Sequence, residues 1–139
     1  DIKNNVKKFK NLTNSTHQIS FTVQNLNLLD IVNIIRFSNE NKIHLKLNLL
    51  FGPEYLQLHV LTKKLLRKAL GNLETVNHAD IIHVTNFNEI KSKIQSALQD
   101  NKSTHNELST LKEIIFKRDS YRKIHIKDYL PEVVEGLNI

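Results

Sequence analysis

Hydrophobic and polar positions alternate in two stretches of the chain and follow a helical period between them. Residues 19–24 and 43–49 alternate apolar with polar side chains, which is typical of strands with one apolar face. The apolar residues between them fall at helical spacing and form one stripe: Leu28, Ile31, Val32 and Ile35. A strand, a helix and a strand within about thirty residues predict a βαβ unit whose two strands are parallel.

The second faces of the two predicted strands are polar. They carry Ser20, Thr22, Gln24, His44, Lys46 and Asn48. In a barrel this face would line the interior, whereas in a lone βαβ unit it would be solvated. Ligands of such folds bind at the carboxyl ends of the strands. We therefore expect the site near Gln24 and between Asn48 and Tyr55.

Beyond the break at Gly52-Pro53 the pattern becomes mostly helical. Thr62 can cap a helix whose apolar stripe ends at Gly71 or a little later, and Asn27 can cap the helix of the βαβ unit. Residues 79–84 predict a short strand.

The rest of the chain predicts further helices. Asn86 and Glu89 stand at capping-box spacing before one helix, and a fourth helix places Leu111 with Ile115. Pro131 constrains a final short segment. The predicted fold is α/β: a connector at 1–16, the C-terminal part of a TIM-like partial barrel at 17–73, and a mostly helical C-terminal region at 74–139.

Composition narrows the function classes. The 139 residues carry a net charge of +6 that consists mostly of Lys spread along the chain. The charge would suit a polyanion, but a nucleic-acid partner is not favoured because no Arg-rich run or pair of stacking aromatics accompanies it. One basic run either binds phosphate or, as we prefer, forms a solvated helix face: Lys63, Lys64, Arg67 and Lys68.

Candidate catalytic and metal-binding residues are few. The absence of Cys excludes disulfides, thiolate nucleophiles and cysteine-held metals within this chain. The spacing of His78, Asp80 and His83 matches no zinc or iron site and favours a surface loop. Glu54 and His59 could act as acid and base, but the sequence places no titrating partner near them.

Two observations concern cellular context. No apolar run approaches the ~20 residues of a membrane span, so we expect a cytoplasmic protein with no membrane partner. Met is absent and the first residue is Asp1, so we expect the chain to be the C-terminal part of a longer protein.

Three short stretches, in their order, resemble the C-terminal half of radical S-adenosylmethionine (SAM) enzymes with a shortened, twitch-type C-terminal region. Residues 19–25 with 28–30 look like a late barrel strand and its helix. Residues 47–56 with 60–65 are similar to that group's Asn-x-Leu, Pro-x-Tyr-Leu and Leu-Pro-x-x-x-Lys sequence, with Thr62 where Pro is usual. The third stretch is similar to its closing Asp-x-x-Arg and Pro-Glu element: residues 119–122 with Asp128, Pro131 and Glu132.

The resemblance implies a function for the longer protein. In that family a Cys-x-x-x-Cys-x-x-Cys loop binds a 4Fe–4S cluster, which cleaves SAM to a radical that abstracts hydrogen from the substrate. This chain would not be catalytically competent alone, and its partner would be the upstream half of the same polypeptide. It would supply barrel wall and contacts to a substrate that the sequence does not identify.

The resemblance also implies site residues. Asn48, Leu50 and Phe51 would lie beside the adenine and substrate, with Pro53 and Tyr55 shaping the rim. The residues that we predict to bind cofactor or form the substrate wall are Gln24, Asn48, Leu50, Phe51 and Tyr55. Asp119 and Arg122, three apart on a helix, predict a salt bridge. The alternative is a non-catalytic basic α/β domain that binds a polyanion or a protein.

Overall fold

The computed structural model describes residues 5, 8, 17–100 and 102–138. Three strands lie in the described part: β1 (Gln18–Val23), β2 (His44–Leu49) and β3 (Val84–Thr85). The α-helices there are α1 (Ile31–Glu40), α2 (Lys63–Glu74), α3 (Phe87–Gln99), α4 (His105–Arg122) and α5 (Pro131–Leu137). The predicted connector at 1–16 falls outside the described residues except for Asn5 and Lys8.

Short 3-10 helices occupy several of the connections. They are Asn25–Asp30, Glu54–Leu56, Leu58–Val60, His78–Ile81 and Ile126–Asp128. One of them follows β1 after a single residue and another follows β2 after residues 50–53, so each of these strands leads into a loop that contains a 3-10 helix. This brings the two loops close to the sheet edge at which α/β proteins bind ligands.

The sheet is parallel and its strands neighbour one another in chain order, β1-β2-β3. The pairing of β1 with β2 runs from Gln18 opposite His44 to Val23 opposite Leu49. β3 adds one short pairing, with Val84 opposite Leu45. The predicted βαβ unit and the α/β class are confirmed.

Burial separates the two faces of the sheet. Val23, Leu45 and Leu47 are at most 1% exposed and pack against the helices. On the other face, Ser20, Thr22, His44, Lys46 and Thr85 are exposed. The helices therefore cover one face, and one hydrophobic core joins residues of 17–73 with residues of 74–139: Leu66, Ile90, Leu111 and Leu137.

Several element boundaries differ from the sequence prediction. The strand predicted at 79–84 is a 3-10 helix at His78–Ile81 followed by the two-residue β3. Asn27 does not cap α1, because its side chain accepts from the Gln24 amide and donates to the Thr22 carbonyl. The cap of α2 is confirmed, since Thr62 Oγ1 accepts from the Leu65 amide at 3.4 Å.

The capping box predicted at Asn86 and Glu89 is wrong. Asn86 has a left-handed backbone, with φ 67°, and makes no side-chain cap. Its Nδ2 instead donates to the Leu47 carbonyl at 2.9 Å. The start of α3 is thus fastened to β2 by a side chain rather than closed by a local cap.

Replacing Asn86 with glycine is expected to lower the free energy of unfolding by about 1 kcal/mol, which is the net value of one hydrogen bond. Glycine tolerates the left-handed backbone, so the substitution removes only the side chain's bond. Chemical denaturation measures the change. Asn138→Gly is the control, because Asn138 has φ 55° and its side chain makes no described bond; equal losses in the two variants would contradict the assigned role.

Candidate functional site

The exposed face of the sheet carries a row of hydrogen-bonded polar side chains. Asn48 Nδ2 donates to Ser20 Oγ at 2.7 Å across β1 and β2. His44 Nε2 lies 2.7 Å from Thr85 Oγ1 across β2 and β3. Lys46 adds a positive charge between these pairs in the sequence of β2. The face predicted as a polar wall is thus polar and exposed in the described part of the chain.

The outer edge of β1 has backbone groups that point away from the sheet. The Leu50 amide donates to the Val23 carbonyl at 3.1 Å, so Val23 faces β2. Because the backbone groups of successive residues point to opposite sides of a strand, those of Ser20 and Thr22 face outward. Within the described residues no strand pairs with this edge, and the Thr22 carbonyl accepts from the Asn27 side chain.

A buried asparagine joins the two loops at the carboxyl ends of β1 and β2. Asn25 is 0% exposed, and its Nδ2 donates to the Tyr55 carbonyl at 2.7 Å. Its Oδ1 is buried without a hydrogen-bond partner among the described residues. Asn25 was not among the predicted site residues, and its position directly after a predicted strand was the available signal.

The loops border two cavities that divide the predicted site residues. Leu50 and Phe51 line a cavity of about 300 Å³ with His59 and with α3 residues that include Lys93. The side chain of Phe51 is 85% exposed. In this cavity, Leu50 and Phe51 therefore lie beside the half-buried His59 and the exposed Lys93.

Tyr55 lies at a second, smaller cavity of about 160 Å³ between the loops and α4. Arg118 and Arg122 of α4 line it as well. Gln24 and Asn48 line neither cavity; Asn48 stays on the polar face and Gln24 follows β1. The five predicted residues thus occupy one end of the sheet but do not converge on one point.

The predicted Asp119–Arg122 salt bridge is not formed. Asp119 Oδ2 accepts instead from the Ile126 amide at 2.8 Å and holds the turn after α4. Arg122 and Arg118 have no ion-pair or hydrogen-bond partner among the described residues. Arg118 was not predicted; its spacing of four from Arg122 on one helix was the available signal.

Ionisable groups elsewhere are mostly at the surface. Lys117 donates a hydrogen bond to Glu113 and, by that bond and its charge, holds the pKa of the Glu113 carboxyl below its usual range. This pair lines neither cavity. The basic run of α2 lies on an exposed helix face. Within it, Lys68 Nζ forms a salt bridge with Glu132 Oε2 at 2.6 Å.

The geometry gives no support to the two chemical roles that the sequence analysis did not favour, a metal site and an acid–base pair. No group of three His, Asp or Glu side chains suited to a metal occurs among residues 17–100 and 102–138, where His78, Asp80 and His83 lie. Glu54 is exposed, whereas His59 Nε2 is buried without a described partner.

The described helices include none that is long and apolar enough to cross a membrane. Comparison with protein-family models, curated proteins and solved structures finds no match to this chain.

Proposed function

We propose that this chain is the C-terminal part of a radical SAM family protein and contributes barrel wall and contacts to a substrate of unknown identity. The observation that carries the proposal is the sheet itself: parallel strands in chain order, helices on one face, and a polar second face beside a β1 edge that pairs with no strand among the described residues. The resemblance of three short stretches, described above, supplies the family.

Face polarity supports a barrel over a doubly wound sheet, whereas three strands in chain order occur in both folds. Doubly wound parallel sheets carry helices on both faces, so both faces of their strands are apolar. In a barrel the strands follow chain order, the helices lie outside and the inner side chains face a closed interior. Here Lys46 and Thr22 occupy the face that no helix covers. Polar residues on this face are better suited to a barrel interior that contacts a substrate than to packing against a second layer of helices.

The partner implied by this proposal is a further parallel strand at the outer edge of β1. β1 and β2 have six residues each, and β3 has two. A sheet this small gains stability from additional strands. A strand beside β1 would pair with the outward amides of Ser20 and Thr22 and extend the polar face into a wall, whereas the Thr22 carbonyl already accepts from Asn27.

Within that wall, the described residues could play different roles. Asn48 donates its Nδ2 hydrogen to Ser20, while its Oδ1 has no described partner and can accept from a bound adenine or substrate. Leu50 and Phe51 supply apolar surface at the strand end, and Tyr55 shapes the adjoining loop through Asn25. Gln24 would contribute at the end of β1.

The residues of this chain do not fit an iron–sulfur cluster. The sequence contains no cysteine, so no thiolate of this chain can ligate iron. In the proposed family the cluster supplies the electron that breaks a carbon–sulfur bond of SAM. Cluster ligands would therefore belong to another part of the protein, and this chain's residues would position the substrate and exclude water.

The coding sequence upstream of Asp1 tests the proposal most directly. We expect a Cys-x-x-x-Cys-x-x-Cys motif followed by further strands. The longer protein, reconstituted with iron and sulfide without oxygen, should then release 5′-deoxyadenosine from SAM when reduced. A start codon directly before Asp1 with no such motif would contradict the proposal.

Backbone hydrogen exchange tests the open edge independently of activity. In the chain alone, the Ser20 and Thr22 amides should exchange rapidly because they face outward. With the upstream sequence present, we expect their exchange to slow by roughly a hundredfold as a neighbouring strand forms. Phe21, whose amide faces β2, is the internal control and should be protected in both proteins; rapid exchange at Ser20 and Thr22 in the longer protein would contradict a completed barrel.

The exposed basic face of α2 favours a second candidate, a non-catalytic binding domain. Lys64 and Arg67 are exposed and have no ion-pair partner among the described residues. If this face bound a polyanion, the affinity would fall steeply with salt. Binding to heparin that is lost in Lys64→Gln and Arg67→Gln variants would support this candidate.

A further inference from the structure

The cavity between α4 and the two loops combines an apolar floor with a positive rim. Leu26 of the β1 loop and Leu56 of the β2 loop contribute apolar surface, as does Ile126 after α4. Arg118 and Arg122, four residues apart on α4, line the same space. Because residues at this spacing lie on one side of a helix, both guanidinium groups can reach a single ligand.

Both arginines are available for a ligand. Neither has an ion-pair or hydrogen-bond partner among the described residues. The acidic residue of the cavity lining is Asp119, and its Oδ2 accepts from the Ile126 amide. The planar fork of Arg matches a carboxylate with two parallel hydrogen bonds.

The net charge of the lining and the volume of the cavity restrict the class of ligand further. Two arginines and one aspartate give the lining a net charge of about +1, which matches a monoanion better than a phosphate dianion. The volume of about 160 Å³ is smaller than the roughly 300–1,000 Å³ of pockets for drug-sized ligands, so only a short group of the ligand can enter it. A short apolar group ending in a carboxylate satisfies both constraints.

We infer that this cavity, hereafter the α4 cavity, binds a carboxylate carried on a short apolar group. Arg118 and Arg122 pair with the carboxylate, and the apolar group lies against Leu26, Leu56 and Ile126. The inference does not rest on the proposed function, since it uses only the residues that line this cavity and not the family resemblance. The carboxylate can come from a small acid or from the end of a peptide.

Titration of the ¹⁵N-labelled chain with propanoate tests the site, and propanamide is the uncharged ligand control of the same shape. We expect saturable shifts of the Tyr55, Leu56 and Ile126 amide signals with propanoate and none with propanamide. Equal shifts with both compounds, or no shift with either, would overturn the inference. This comparison uses the unaltered chain and needs no variant to fold.

Substitutions then test the two arginines. Arg118→Gln and Arg122→Gln should each weaken propanoate binding by about fivefold or more, because a charged hydrogen bond is lost. Arg36→Gln, the same change on an exposed part of α1 outside the cavity, should leave affinity unchanged. Unchanged affinity in the Arg118→Gln, Arg122→Gln double variant would overturn the assignment.

A peptide arm identifies the source of the carboxylate. Acetyl-Gly-Leu with a free carboxylate is compared with its C-terminal amide in the same titration. Tighter binding of the free peptide than of propanoate would assign the α4 cavity to a chain terminus, and weaker binding would assign it to a small acid. In either case only the free carboxylate should bind, and binding of the amide would contradict the inference.

Discussion

Replacing Leu47 with alanine is expected to lower the free energy of unfolding by about 2–5 kcal/mol, the range for truncating a buried leucine. Leu47 is 0% exposed and lies in the middle of β2, opposite Phe21 of β1. Its side chain belongs to the core that joins the sheet to the helices, so truncation leaves a cavity that neighbours fill only partly. Equilibrium denaturation with urea measures the loss.

Lys46→Ala is the matched control for Leu47→Ala. Lys46 is the preceding residue of the same strand, but its side chain points to the exposed polar face. We expect a change within about 0.5 kcal/mol, as for surface substitutions away from special features. Equal costs at the two positions would show that the sheet does not bury one face, and this would contradict the fold on which the proposed function depends.

The periodic patterns predicted the sheet and its first helix because the local spacing of apolar residues determines which side chains of these elements are buried. Alternation in β1 and β2 places Val23 and Leu47 on the same face, and a helix stripe supplies the covering layer. The parallel pairing follows, since a helical crossover returns the chain in the same direction. Patterns over a few neighbouring residues were therefore sufficient to predict the α/β class.

Interactions between distant parts of the chain were not predictable from the sequence. Asn86 and Leu47 are 39 residues apart, and no local spacing indicates that their hydrogen bond replaces a helix cap. Asp119 likewise pairs with the Ile126 amide rather than Arg122. An exposed ion pair on a helix contributes only about 0.2–0.5 kcal/mol, so a partly buried backbone donor can compete successfully for the carboxylate.

The same reason explains why the candidate site was predicted only in part. The carboxyl ends of β1 and β2 were correctly located, because parallel strands end at the same edge. The division of Phe51 and Tyr55 between two cavities depends on where α3 and α4 pack, which the loop sequence does not encode. Arg118 lies at the candidate site only because α4 packs beside the two loops.

Replacing Gly136 with alanine is expected to destabilise the protein, against the usual helix preference for alanine. Gly136 lies in α5, and a Cβ there would meet Leu65 Cδ1 and Cγ at 2.6 Å. Leu65 belongs to α2 and is 4% exposed, so it has little room to move. Overpacking of this kind costs about 1–3 kcal/mol, more than the ~1 kcal/mol that alanine gains over glycine inside a helix.

The identical substitution at Gly71 should have the opposite sign. Gly71 lies within α2, and a Cβ there would meet nothing within 4 Å. With no contact to disrupt, the helix preference acts alone and should stabilise the protein by about 0.5–1 kcal/mol. Thermal unfolding of the two variants side by side measures the contrast. Stabilisation by both substitutions would show that α5 does not pack closely against Leu65, and the α2–α5 contact would have to be abandoned.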